Sequence, residues 1–189
     1  MTTVGFIGSG MLGGTVARLS VAAGHDVVLS NSRGPGTLRE VVSDLGPLAR
    51  AATADDAARA ASIVVVAVPL KAVRSVPVEP MGGKVVIDAS NYYPQRDGHL
   101  ADLDTGRLTS SELLQRRLPA SPVVKAFNNI FYRHLGSLAR PPGAPDRSYL
   151  PIAGDDDQVK ELVTLFLDSI GYGGGRRRAA RRRMAPAAW

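Results

Sequence analysis

Six residues near the amino end, Gly8-Ser9-Gly10-Met11-Leu12-Gly13, have the types and spacing to cradle a phosphate. Gly8 permits a tight turn, Gly10 lets the backbone approach a pyrophosphate, and Gly13 lets a helix pack closely on a sheet. A helix opening there adds amide donors and a partial positive charge. The apolar run Val4-Gly5-Phe6-Ile7 precedes the loop, residues 15–23 are helical in pattern, and a second apolar run, Val27-Val28-Leu29, ends in Ser30-Asn31-Ser32-Arg33. Strand, glycine turn, helix and strand form a dinucleotide-binding unit.

The end of the second strand selects the nucleotide. An enzyme that takes NAD usually carries an acid there for the ribose 2′-hydroxyl. Here Asp26 stands at the start of the run, on the wrong side of a sheet, and Ser30, Asn31, Ser32 and Arg33 stand at its end. Two hydroxyls, an amide and a guanidinium suit a 2′-phosphate, which takes charge-assisted bonds from arginine. The expected cofactor is therefore NADP. A polar turn without a ligand is the alternative, as a bare glycine-rich turn is for the loop before it.

Three further strand ends reach the same edge. Ala67-Val68-Pro69 closes the most apolar strand, with Leu70 packing near the dinucleotide. Ser90-Asn91 and Ala126-Phe127-Asn128 close two more, and their polar groups could bond a carboxamide, orient a second substrate or simply cap loops. His99, beside Asp97 and Gly98, and His134 read as surface or helix-packing histidines before general acids. Asp155-Asp156-Asp157 reads as a helix cap and not a metal cluster. No catalytic residue and no metal ligand is assigned. Direct hydride transfer needs two rings held face to face, so no triad or dyad is required.

The elements that must position these residues follow from periodicity. Strands are expected at residues 4–8, 26–30, 48–53, 62–68, 84–89, 123–127 and 149–153. Helices are expected at 37–45, 53–61, 70–76, 110–118, 129–139 and 155–170, in addition to the first. The helix at 110–118 is read without a full capping box. Residues 90–104 are polar, turn-rich and too long for a simple connection, which makes them a candidate functional loop. The continuous apolar run Ile63-Val64-Val65-Val66-Ala67-Val68 belongs in the middle of a parallel sheet covered on both faces. The alternation gives an α/β fold with a doubly wound, mainly parallel sheet.

Composition narrows the remainder. With 189 residues, 44% hydrophobic and 21% charged, the chain suits one well-buried domain with a small appendage. It has no cysteine, so disulfides and thiolate metal sites are excluded. No apolar run approaches the roughly 18 residues of a membrane span, and the amino end enters a strand at once, so a cytoplasmic location is expected. The net charge of +6 comes from Arg176, Arg177, Arg178, Arg181, Arg182 and Arg183 alone. Two regions follow: a domain over 1–172 and a basic Gly/Arg-rich tail over 173–189, read as disordered.

On these residues the chain resembles the deazaflavin-dependent NADP reductases, the NADPH:F420 oxidoreductase type. The matching stretches are 8–13, 30–35, 66–70, 85–93, 123–129 and 152–156, in order. The resemblance implies a Rossmann domain, NADP, and hydride transfer to or from a small-molecule partner such as coenzyme F420 as second substrate. It implies that Ser9, Gly10, Met11 and Leu12 hold the pyrophosphate, that Ser32 and Arg33 hold the 2′-phosphate, and that Leu70 and Ala126 line the cofactor. The alternatives are an imine or ketone reductase on the same fold, and a non-catalytic NADP-binding protein. The resemblance stops after Tyr172, where the family continues with a strand and a helix that complete the site and often a homodimer contact. The arginine tail reads either as a nucleic-acid contact or as the product of a shifted reading frame. No membrane partner is expected.

Overall fold

The computed structural model describes residues 1–176, for Arg176 the main chain only. The tail beyond Arg176 lies outside the described residues.

The chain alternates as expected. It runs β1 (Thr3–Ile7), α1 (Met11–Ala22), β2 (Asp26–Ser30), α2 (Arg39–Leu45), β3 (Ala49–Ala51), α3 (Ala54–Ala60) and β4 (Ile63–Val66). It continues with β5 (Val85–Asp88), α4 (Pro94–Asp97), α5 (Ala101–Asp104), α6 (Ser110–Arg117), β6 (Val123–Lys125), α7 (Tyr132–Ser137), β7 (Tyr149–Ile152), α8 (Asp157–Ser169) and β8 (Gly173–Arg176). The first six strands form one sheet in the order β3-β2-β1-β4-β5-β6, and every pairing in it is parallel. The order reverses between β1 and β4, which opens a crevice at their carboxyl ends.

Side-chain alternation builds a core on each face. Val4, Phe6, Leu29, Val65 and Ile87 point to the face covered by α1, α2, α7 and α8. Ile7, Val28, Val64, Val66 and Val86 point to the face covered by α3 and α6. Val64 and Val65 are fully buried, and burying each such side chain contributes about 1.5–3 kcal/mol. This two-sided burial is why the strands read as continuous apolar runs. Among the described residues, no helix is long and apolar enough to cross a membrane.

Three expectations change. The seventh strand does not extend the six-stranded sheet along its edge: β7 pairs in parallel with β8 as a separate two-stranded sheet. One antiparallel bridge, Lys125 to Ala153, joins the two sheets. The folded chain also runs four residues past the boundary expected at Tyr172. Gly173 and Gly174 are not linker residues there. A Cβ on Gly173 would stand 2.3 Å from the Tyr149 ring, and one on Gly174 would stand 2.7 Å from Thr164 Oγ1. Their missing side chains let β8 lie against β7 and α8.

The third change concerns α6, which does have a capping box. Thr109 Oγ1 accepts from Glu112 N at 3.1 Å, and Glu112 Oε2 accepts from Thr109 N at 2.7 Å. The helix itself begins at Ser110, as expected. The acids before α8 do cap it: Asp156 Oδ1 accepts from Gln158 N and Val159 N at 2.9 and 3.0 Å.

Candidate functional site

The glycine loop is built almost wholly from main chain. Gly8 has φ +101°, and a Cβ there would sit 2.5 Å from Ala67 O. A Cβ on Gly13 would sit 2.2 Å from Gly8 O. Neither position admits a side chain, because β4 and the loop itself occupy the space. Gly8 N donates to Ser30 O at 3.1 Å and Ala67 N donates to Ile7 O at 2.9 Å, which ties the loop to both flanking strand ends.

Gly10 is the opposite case. A Cβ there meets nothing within 4 Å, and its φ of −69° suits any residue. Its lack of a side chain leaves open space in front of the α1 N-terminus. No side chain caps that helix, and its first turn holds no acid. Exposed amides, a partial positive charge and clear approach fit an anionic pyrophosphate. Ser9 and Leu12 are half-buried beside it, and Met11 is exposed.

At the end of β2 the structure divides the four polar residues. Ser30 is fully buried, and its hydroxyl donates to Phe6 O at 2.7 Å, so its side chain is committed to the sheet. Asn31 shapes the turn: its Oδ1 accepts from Arg33 N at 2.9 Å and its Nδ2 donates to Thr37 Oγ1 at 2.9 Å. Ser32 and Arg33 are exposed. Asp26 opens β2, at the far end from this turn. The turn therefore presents one guanidinium and one hydroxyl, which fits a phosphate monoester.

The downstream strand ends are divided in the same way. Ala67 and Val68 are half-buried and Pro69 is exposed, whereas Leu70 and Ala126 lie in the core at 1% and 0% exposure. The Leu70 side chain packs in the core cluster on the α3 and α6 face of the sheet. Ser90 is also withdrawn, because its hydroxyl donates to Asp88 Oδ1 at 2.6 Å. Asn91 and Asn128 are brought together: Asn91 Nδ2 donates to Asn128 O at 2.9 Å. Asn128 Oδ1 is buried without a hydrogen-bond partner. The residue before it, Phe127, has φ +63° and a fully buried side chain. Core packing thus holds an unfavourable backbone where the chain leaves β6.

Sequence reasoning missed the ion pair beneath this rim. Lys125 Nζ lies 2.8 Å from Asp88 Oδ2, with the Asp88 side chain fully buried and Lys125 nearly so. Lys125 also donates to Ser90 O and to Ser110 Oγ, and Ser111 Oγ donates to Asp88 Oδ2 at 2.7 Å. Burial acts to raise the Asp88 pKa, but the Lys125 charge and the bonds from Lys125, Ser90 and Ser111 outweigh it and hold the carboxyl below its ordinary value. One signal was available: a charge of each sign placed at the end of an otherwise apolar strand.

The loop after β5 is more ordered than its composition suggests. Tyr92 OH lies 2.6 Å from Asp104 Oδ1 and accepts from Leu100 N at 2.9 Å. Arg96 Nη2 donates to Asn91 O at 2.7 Å. His99 Nδ1 lies 3.1 Å from Asp104 Oδ2 with the ring in solvent, and His134 packs edge-on to Phe131 at 5.7 Å. Among the described residues, no group of three or more His, Asp or Glu is placed to hold a metal ion. An open groove of about 570 Å³ lies along β3 and α3, lined by Pro35, Arg50, Thr53 and Arg59 among others. The glycine loop does not line it.

The family described as NADP oxidoreductase, coenzyme F420-dependent, matches residues 3–92. Hypothetical protein SMa0349 from Sinorhizobium meliloti is 30% identical, with a TM-score of 0.81 over 95% of this chain and 86% of that one. The chain belongs to this oxidoreductase family. A protein of Arthrobacter sp. FB24, described as a candidate F420-dependent NADP-reductase, shares the fold at 23% identity and a TM-score of 0.79, over 95% of this chain and 85% of that one. An imine reductase from Aspergillus terreus shares it at 15% identity and a TM-score of 0.68, over 95% of this chain and 56% of that one. No curated protein sequence matches the chain. The family match covers β1 to β5 and ends at Tyr92, before β6 and its lysine.

Proposed function

We propose that this family member is a cytoplasmic oxidoreductase that binds NADP(H) along the carboxyl ends of β1, β2, β4, β5 and β6 and exchanges a hydride with a deazaflavin of the coenzyme F420 type. The observation that carries the reading is the open, uncapped α1 N-terminus over Gly10 beside the carboxylate-free turn that holds Arg33. The amides at the start of α1 hold the pyrophosphate. Ser32 and Arg33 hold the 2′-phosphate, and Asn31 fixes their turn. Ala67 to Pro69 border the crevice, and Asn91 and Asn128 hold the nicotinamide end. The cofactor, when bound, supplies or accepts the hydride. The protein's part is to orient it and to exclude water, so no side chain need carry a proton.

The folded domain, including β8, is proposed to be sufficient for binding. The test is NADPH oxidation against a panel of oxidised deazaflavin, a cyclic imine and a ketone, with the full chain and with the chain ended after Arg176. Turnover with deazaflavin by both forms supports the proposal. Turnover with the imine alone replaces the acceptor, and tighter binding of NADH than of NADPH overturns the assignment of Arg33.

A further inference from the structure

The Lys125–Asp88 pair uses every donor and acceptor it has, on each other, on Ser90 and on Ser110 and Ser111 of α6. Lys125 Nζ donates to Asp88, to the Ser90 carbonyl and to Ser110. Asp88 Oδ1 accepts from both Ser90 N and Ser90 Oγ, at 2.8 and 2.6 Å. Ser90 is therefore gripped at its amide, its hydroxyl and its carbonyl by two charged side chains. It also lies two residues beyond the last pair of the β5–β6 ladder, Asp88 with Lys125, after which the last bond is Ala126 N to Asp88 O. Past this point the two strands part. Asn91 follows Ser90, Phe127 and Asn128 follow Lys125, and the Asn91 to Asn128 bond bridges the gap.

A buried ion pair seldom adds net stability over an apolar pair of the same volume; what it adds is direction. An apolar pair would fill the same space without fixing the Ser90 peptide. We infer that Lys125 and Asp88 are positioning residues that set the Asn91–Asn128 rim for the nicotinamide half of the dinucleotide. The inference rests on the NADP reading above.

Binding separates the two. Adenosine 2′,5′-bisphosphate carries the phosphate and adenosine of NADP without the nicotinamide, so it reports on the glycine-loop end alone. The variant Lys125→Met with Asp88→Asn removes both charges together. By isothermal titration it is expected to bind the bisphosphate as the wild type does and NADPH about tenfold more weakly, the scale of one or two hydrogen bonds made on a rim that is no longer fixed. Equal losses for both ligands, or no loss for either, overturn the inference. Failure of the wild type to bind the bisphosphate overturns the NADP reading and takes the inference with it. Ser111→Ala withdraws one hydrogen bond from Asp88 and leaves both charges in place. It is expected to shift the ratio of the two affinities by about threefold, and an unchanged ratio in that variant overturns the inference even where the charge-free variant does not fold.

Discussion

The two ends of the crevice are made from different materials. At the β1–α1 end the geometry is fixed by main chain: glycines at 8 and 13 bring loop, helix and β4 into contact that no side chain permits. At the β5–β6 end it is fixed by side chains, through a buried charge pair and three serines. Under the proposed function, the difference follows from what each end must meet. Backbone amides suit a pyrophosphate, whose shape does not vary among dinucleotide enzymes. A side-chain network can be altered one residue at a time, which suits the end that faces a variable acceptor.

Removing one partner of the charge pair is the largest expected perturbation. Lys125→Met leaves the Asp88 carboxylate buried and unpaired, and it should cost about 3–5 kcal/mol in chemical denaturation at neutral pH. Acid provides a second reading of the same pair. Asp88 has a lowered pKa in the fold, so its contribution is present above the ordinary carboxylate value of about 3.9 and is lost as pH falls through the folded value. The stability gap between the wild type and the variant lacking both charges should change across that acid range and stay constant from pH 5 to 8.

Gly13→Ala tests the main-chain end. Its Cβ would meet a carbonyl oxygen that cannot step aside. A destabilisation of about 1–3 kcal/mol is expected in thermal melts, together with loss of bisphosphate binding. Arg33→Glu should leave the melt unchanged and weaken NADPH binding by about tenfold or more, with much less effect on NADH; equal losses would remove the 2′-phosphate from that turn. The smallest structural effect belongs to Gly10→Ala, where the added methyl meets nothing. Stability should stay within about 0.5 kcal/mol, while titration shows NADPH weakened about fivefold. If Gly10→Ala and Gly13→Ala behaved alike, the division between approach and packing within the loop would fail.

The contrast also explains what could be read from the chain. The glycine loop and the mainly parallel sheet were legible because Gly8, Gly10 and Gly13 encode backbone geometry at a fixed spacing, and because strands covered on both faces read as near-continuous apolar runs. Ser32 and Arg33 were legible as a polar turn, but Ser30 was not separable from them: which side of the strand end a hydroxyl faces depends on packing against Phe6. The charges of Lys125 and Asp88 stood out at the ends of apolar strands, but their pairing was not legible, because they lie 37 residues apart. β8 was hidden by its own composition. Three glycines before an arginine run resemble a linker until Tyr149 and Thr164 are in place to require the first two.

Lys125 also carries the bridge between the sheets: its amide donates to Ala153 O at 2.7 Å, and Ala153 N returns a bond to Lys125 O at 3.1 Å. The residue that orients the cofactor rim through its side chain is therefore the one that moors β7, α8 and β8 through its backbone. Slow amide exchange at Lys125 and Ala153 should rise and fall together, as one cooperative opening unit. A ligand that quiets the rim would then be felt as protection in a sheet that it never touches.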